Sequence, residues 1–192
     1  MTIELMQGAA AAKRFVNEYL SQELPLRLTT YRNGWKLDDE ALPDPLKYLT
    51  YEPVGLDTWP TIITVALSTN QSTRIDYTST YDPIYRVQYS MRTYIWVRAD
   101  DSADADFMRD NLTTVVRSAL LDHQCFRYAD TGDRDTILDE GTMREEFSEL
   151  TMLKGDRVLA GAYIAYNINL NEVVARATIH DLDDIQILTG RL

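Results

Sequence analysis

The chain has 192 residues, 45% of them hydrophobic, enough to build a sizeable core within one domain. Its 30 acidic residues against 19 basic ones give a formal net charge of −11. That excess excludes a general nucleic-acid coat, which needs clustered Lys and Arg to neutralise phosphates.

At the N-terminus, Thr2 is placed to cap a first helix, with Glu4 near its positive end. Met6, Ala9, Ala10, Val16 and Leu20 follow on one stripe at helical spacing, and the helix is expected to end before Pro25. The segment has no apolar core bounded by a small-residue cleavage site, so it does not read as a signal peptide. No apolar run approaches the ~20 residues needed to span a bilayer, so no membrane partner is expected. The single cysteine, Cys125, allows no internal disulfide and fits a cytosolic origin.

Residues 26–58 read as a long ordered insertion. Asn33-Gly34, Pro43, Pro45, Pro53, Gly55 and Pro60 interrupt it, and a short strand is expected over Leu26 to Tyr31. Trp35, Tyr48, Tyr51 and Trp59 give it something to bury. After Trp59-Pro60 the β-branched run TIITVAL predicts a buried strand, and the polar segment up to Pro83 predicts a loop or a protruding extension of two strands.

From Tyr85 to Arg98 a period of two predicts a long strand. Tyr85, Val87, Tyr89, Met91, Thr93, Ile95 and Val97 face the core, and Arg86, Gln88, Ser90, Arg92, Tyr94, Trp96 and Arg98 face away. Asp100, Asp101, Asp104 and Asp106 then stand where a helix begins, capping exposed N–H groups or facing the positive end of the dipole. Phe107, Met108, Leu112, Val115, Val116, Ala119 and Leu120 form the broad stripe of a helix packed on a sheet.

Residues 122–146 turn polar without a sustained period and read as a second insertion. Strands are expected over Phe147 to Leu153 and, past Lys154-Gly155-Asp156-Arg157, over Val158 to Leu170. In the last run Ala160, Ala162, Ile164, Tyr166, Ile168 and Leu170 alternate with Gly161, Tyr163, Ala165, Asn167 and Asn169. Residues 173–192 form a C-terminal arm carrying Ile179, Leu182, Ile185, Ile187 and Leu188 among acids.

The candidate chemistry is thin. Asp130, Asp133, Asp135, Asp139 and Glu140 cluster as calcium ligands do, but their spacing does not match a calcium-binding loop, and a solvated loop is the simpler reading. His123 and Cys125 read as a helix-end histidine and a buried cysteine rather than a nucleophile pair. There is no Gly-rich phosphate cradle, nucleophile elbow, zinc spacing or dinucleotide fingerprint, and His123 and His180 are the only histidines. No catalytic, cofactor-binding or metal-binding residues are therefore assigned, and the chain is not expected to be an enzyme.

What remains is the face carrying Arg86, Arg92, Tyr94, Trp96 and Arg98. It suits an interface between subunits, where Tyr, Trp and Arg are favoured, and the acidic total supports that use. Stacking on single-stranded nucleic acid and packing within the chain are the alternatives. The order of elements implies one α+β domain over residues 1–192. Its expected frame is a mainly antiparallel sheet of about four strands backed by two helices, with long loop insertions and the C-terminal arm.

The segments WPTIITVAL, YRVQYSMRTYIWVRADDSADADFMRDNLTTVVRSALL and RVLAGAYIAYNINLNE, taken in order, resemble the tail terminator (tail completion) proteins of long-tailed bacteriophages. The resemblance spans roughly Trp59 to Glu172 and is one of pattern and order. It implies a structural virion protein of the tail neck, assembled in the host cytoplasm as a homo-oligomeric ring, commonly a hexamer. Such a ring caps the tail tube protein and meets the head-to-tail connector protein, with viral DNA passing through its channel without specific binding. Another connector component, a stopper or adaptor, is the nearest alternative, and a single-strand binder or an unrecognised enzyme are more distant ones. The 26–58 segment is longer than the minimal form of that family requires.

Overall fold

The structure, a computed structural model, describes residues 8–78, 82–122, 125–128, 134–147, 152–154 and 157–174. Helix α1 spans Gly8–Trp35, followed by strands β1 (Lys47–Leu49), β2 (Thr61–Tyr77) and β3 (Pro83–Ala99). Helix α2 spans Ser102–Asp122, and strands β4 (Cys125–Tyr128), β5 (Arg134–Phe147), β6 (Met152–Lys154) and β7 (Arg157–Val173) follow among the described residues. The fold is mixed α+β, but the expected sheet of about four strands is wrong. Among the described residues seven strands form one sheet, six of them in the order β1-β2-β3-β7-β5-β4, with β6 paired to β7.

Helix α1 is longer than expected. It continues through Pro25 to Trp35 and absorbs the stretch Leu26 to Tyr31 that reads as a strand. Pro25 has no N–H for the carbonyl four residues earlier, a local cost that ordinarily ends a helix. Here the stripe of Val16, Leu20, Leu24 and Leu28 is fully buried on both sides of the proline, and that tertiary burial decides the outcome. The same stripe begins at Ala11 and Ala12, whereas Ala9 and Ala10 are exposed. Thr2, Glu4 and Met6 lie outside the described residues.

Helix α2 starts where the aspartates predict. The Asp101 carboxylate accepts the Asp104 N–H at 2.9 Å, so Asp101 is the N-cap. Its buried stripe is Ala105, Arg109, Leu112, Thr113, Val115, Val116, Ala119 and Leu120. Phe107, expected in that stripe, is exposed, and Met108 is only partly buried.

Both polar segments assigned as insertions carry regular structure. Residues 122–146 contain β4 and most of β5. Of the strand expected over Phe147 to Leu153, Phe147 lies in β5 and Met152 and Leu153 in β6, both antiparallel to β7, while residues 148–151 lie outside the described residues. The segment 26–58 contributes ten residues of α1 and the strand β1, which runs parallel to the start of β2.

The central trio β2, β3 and β7 has the predicted facing. Val87, Tyr89, Met91, Thr93, Ile95 and Val97 on β3 and Ala160, Ala162, Ile164, Tyr166, Ile168 and Leu170 on β7 are buried. They pack with both helix stripes into one core. The helices therefore cover a single face of the sheet. Buried Thr93 shares hydrogen bonds with Thr64 at 3.3 Å and Tyr166 at 2.8 Å, satisfying hydroxyls that burial would otherwise penalise. The second half of β2 is an edge of the sheet, paired with β3, which is itself paired with β7 as far as Ile84 and Val173, and every β2 residue from Leu67 to Tyr77 is exposed.

Candidate subunit interface

The strand β3 carries all five predicted interface residues on the face away from the helices, and pairing with β7 decides what each one meets. Trp96 stands opposite Gly161, Tyr94 opposite Tyr163 and Arg92 opposite Ala165. Side chains directly opposite in an antiparallel pair lie close enough to touch, so the register writes the site.

Trp96 lies over Gly161 so closely that a Cβ at that position would sit 2.7 Å from the indole Cζ3. Glycine is required there because the ring occupies the volume of a side chain. One step along, the Tyr94 and Tyr163 rings are 5.5 Å apart and tilted at 56°. The Arg92 guanidinium lies 4.5 Å from the Tyr163 ring centroid and donates to the Tyr94 hydroxyl at 3.4 Å. At the other end Arg98 stacks 4.3 Å over Trp59. A guanidinium over an aromatic face contributes about 0.5–2 kcal/mol depending on desolvation, so these stacks hold the row in place.

Charge from β5 closes the row. The Tyr163 hydroxyl donates to Glu146, which raises its phenol above the ordinary range, and Arg144 lies 3.5 Å from the same carboxylate. The segment Glu52, Pro53 and Leu56 folds across Ile63, Tyr94 and Trp96 and leaves a shallow groove of about 320 Å³.

The structure thus brings Arg92, Tyr94, Trp96 and Arg98 into one row and leaves Arg86 apart. Six residues of strand separate Arg86 from Arg92, roughly 20 Å at the usual rise. There Arg86 is exposed and donates to the Asn171 side chain at 3.3 Å.

Gly161, Tyr163, Glu146 and Trp59 are members of the site that sequence reasoning did not assign to it. The alternation over Val158 to Leu170 already places Gly161 and Tyr163 on the outward face. Only the register shows which β3 residue each one meets.

The acidic cluster at Asp130 and Asp133, together with His123 and His180, lies outside the described residues. Cys125 is buried at the start of β4. Among the described residues no three His, Cys, Asp or Glu side chains gather in a way that would hold a metal ion.

No protein-family model matches the chain, and no curated protein matches it.

Proposed function

We propose that the chain is a structural virion protein of a long-tailed bacteriophage, a tail terminator. It assembles as a ring, commonly a hexamer, caps the tail tube, meets the head-to-tail connector and lets the genome pass. The observation that carries this reading is the outer part of the edge strand β2. Its stretch from Leu67 to Tyr77 pairs with β3 but is exposed at every residue and adds nothing to the core, so its length is better accounted for by contact with a neighbour. Such an exposed edge is the kind of surface for an adjoining ring that the family resemblance implies. The net charge of −11 supports a channel that repels passing DNA rather than retaining it.

Single-strand binding has less support. Stacking on bases needs free aromatic faces, and here guanidinium groups lie over Tyr163 and Trp59 while Trp96 lies against Gly161.

The test is negative-stain imaging of the purified chain with and without its tail-tube protein. Rings seated on tube ends are the expected result. A strict monomer that leaves tubes uncapped overturns the proposal, and rings that leave tube ends bare but bind portal-side proteins move it to a stopper or adaptor.

A further inference from the structure

The aromatic row leaves Arg86 unused, and strand pairing shows what surrounds it instead. On the outward face Arg86 of β3 lies between Thr73 of β2 and Asn171 of β7, and at the next outward position Gln88 lies between Gln71 and Asn169. Residues opposite one another, or two apart along a strand, share a face and lie close together. These side chains therefore form a polar grid across β2, β3 and β7. A pocket of about 240 Å³ opens over it, lined by Gln71, Thr73, Arg86, Gln88 and Asn169, with Ile75 as its apolar member.

The lining holds one charge, and that charge is positive. No carboxylate lines the pocket, although the chain carries 30 acidic residues against 19 basic ones. Asp76, the nearest acid along β2, is not part of the lining and accepts the Tyr77 N–H at 2.8 Å. The Arg86 Nε–H donates to the Asn171 side chain at 3.3 Å, which sets the guanidinium against β7 and leaves its outer nitrogens without a bond to any described residue. The Thr73 hydroxyl accepts from the Gln71 side chain at 3.1 Å, so its own O–H stays available as a donor. The carboxamides of Gln88 and Asn169 add N–H groups on the two strands beside it. A cationic guest would need carboxylates, which this lining lacks.

We propose that this pocket binds a small tetrahedral oxyanion of the phosphate class, with Arg86 as its counter-charge and Thr73, Gln88 and Asn169 as further donors. A guanidinium offers paired N–H groups to an oxyanion, and such charge-assisted bonds are the strong ones. A tetrahedral oxyanion points its oxygens out of one plane, so it can take bonds from all three strands at once, whereas a planar carboxylate matches the guanidinium alone. The net charge of −11 opposes an extended polyanion, so the guest is a small one and not a nucleic-acid strand. This site is separate from the Arg92 to Arg98 row, and it does not depend on the virion reading.

The test is phosphorus magnetic resonance of inorganic phosphate mixed with the full chain at fixed ionic strength, which reads weak binding whatever the size of the assembly. The expected result is a phosphate line that broadens as protein is added and sharpens again on addition of sulfate, with acetate needing a several-fold higher concentration. Arg86→Gln removes the broadening, and Gln88→Leu, which leaves the charge unchanged, lowers it several-fold. Arg92→Gln, a cation outside the pocket, keeps it. Arg86 is exposed and Gln88 is on the outward face, so neither change empties the core. No broadening, or equal broadening in Arg86→Gln as adventitious contact with surface cations would give, overturns the inference. So does a broadening that Gln88→Leu leaves intact, or acetate competing as well as sulfate.

Discussion

Gly161 shows how one residue fixes the outward face of the sheet. Its missing side chain is replaced by the Trp96 ring, and a Cβ would approach three ring carbons at 2.7, 2.9 and 3.0 Å. The indole cannot retreat into the sheet, so Gly161→Ala must swing it outward, away from Ile63 and Tyr94. Overpacking of this kind costs about 1–3 kcal/mol, and a lower urea midpoint with unchanged slope is the expected outcome. The clash is specific to the indole, so in a Trp96→Leu background the same glycine substitution costs much less. An unchanged midpoint in both backgrounds would show that Trp96 does not occupy this volume. The Tyr163 and Arg92 stack beside it depends on the same register, which is why the five outward residues of β3 are only half of the site.

At the scale of elements, α1 sets a local rule against a tertiary one. Pro25 is exposed, whereas Leu20, Leu24 and Leu28 are fully buried around it. Replacing Pro25 with Ala restores the missing N–H and removes a residue disfavoured in helix interiors by up to ~3 kcal/mol. It also releases the unfolded chain, which costs about 0.4–1 kcal/mol in the other direction. The larger effect wins, so Pro25→Ala is expected to raise stability by about 1–3 kcal/mol in urea unfolding. A neutral or destabilising result would mean that the helix ends before the proline, as the sequence reads on its own. The elements legible in the sequence are those whose signal is local. They are the period of two in β3 and β7, the aspartate start of α2 and the buried run that opens β2. Strand β5 is not legible because only Thr136 and Leu138 of its described side chains are buried and Met143 packs on the core from its edge, while Glu140, Arg144 and Glu146 face solvent and read as loop. The outward row of β3 was legible for the same reason as its core face, but its partners on β7 and β5 depend on pairing between distant segments. Arg86 was grouped with the row by alternation alone, which specifies a face and not a distance.

For the whole molecule, three tyrosine hydroxyls tie neighbouring elements together, helix to helix, strand to strand and, through Glu172, sheet to helix. Tyr19 of α1 donates to the Ala119 carbonyl of α2 at 2.8 Å. Tyr89 of β3 donates at 2.6 Å to the Glu172 carboxylate, which also accepts the Gly8 N–H at the start of α1 at 3.1 Å. Tyr166 of β7 shares its bond with Thr93 of β3. Burial is the largest cause raising all three phenols. Tyr19 is pushed up to about 12, with Arg27 pulling it partly back. Tyr89 goes higher still, helped by its bond to Glu172, and Tyr166 is also raised, with Thr93 opposing. In the unfolded chain each ionises near pH ~10, so above that value the folded state holds more protons than the unfolded one. The stability these groups contribute is thus fully present below pH ~10 and is lost as pH rises through their folded values. Lysine neutralisation adds to the net charge of −11 over the same range, so self-repulsion acts in the same direction and added salt recovers part of the loss. Tyr19, Tyr89 and Tyr166 ionise only as the fold is lost. Phenolate absorbance followed beside far-ultraviolet circular dichroism tests this. The expected trace contains a phase coincident with loss of ellipticity. Full phenolate absorbance reached with the ellipticity intact would show that the three hydroxyls are open to solvent and do not hold these elements together.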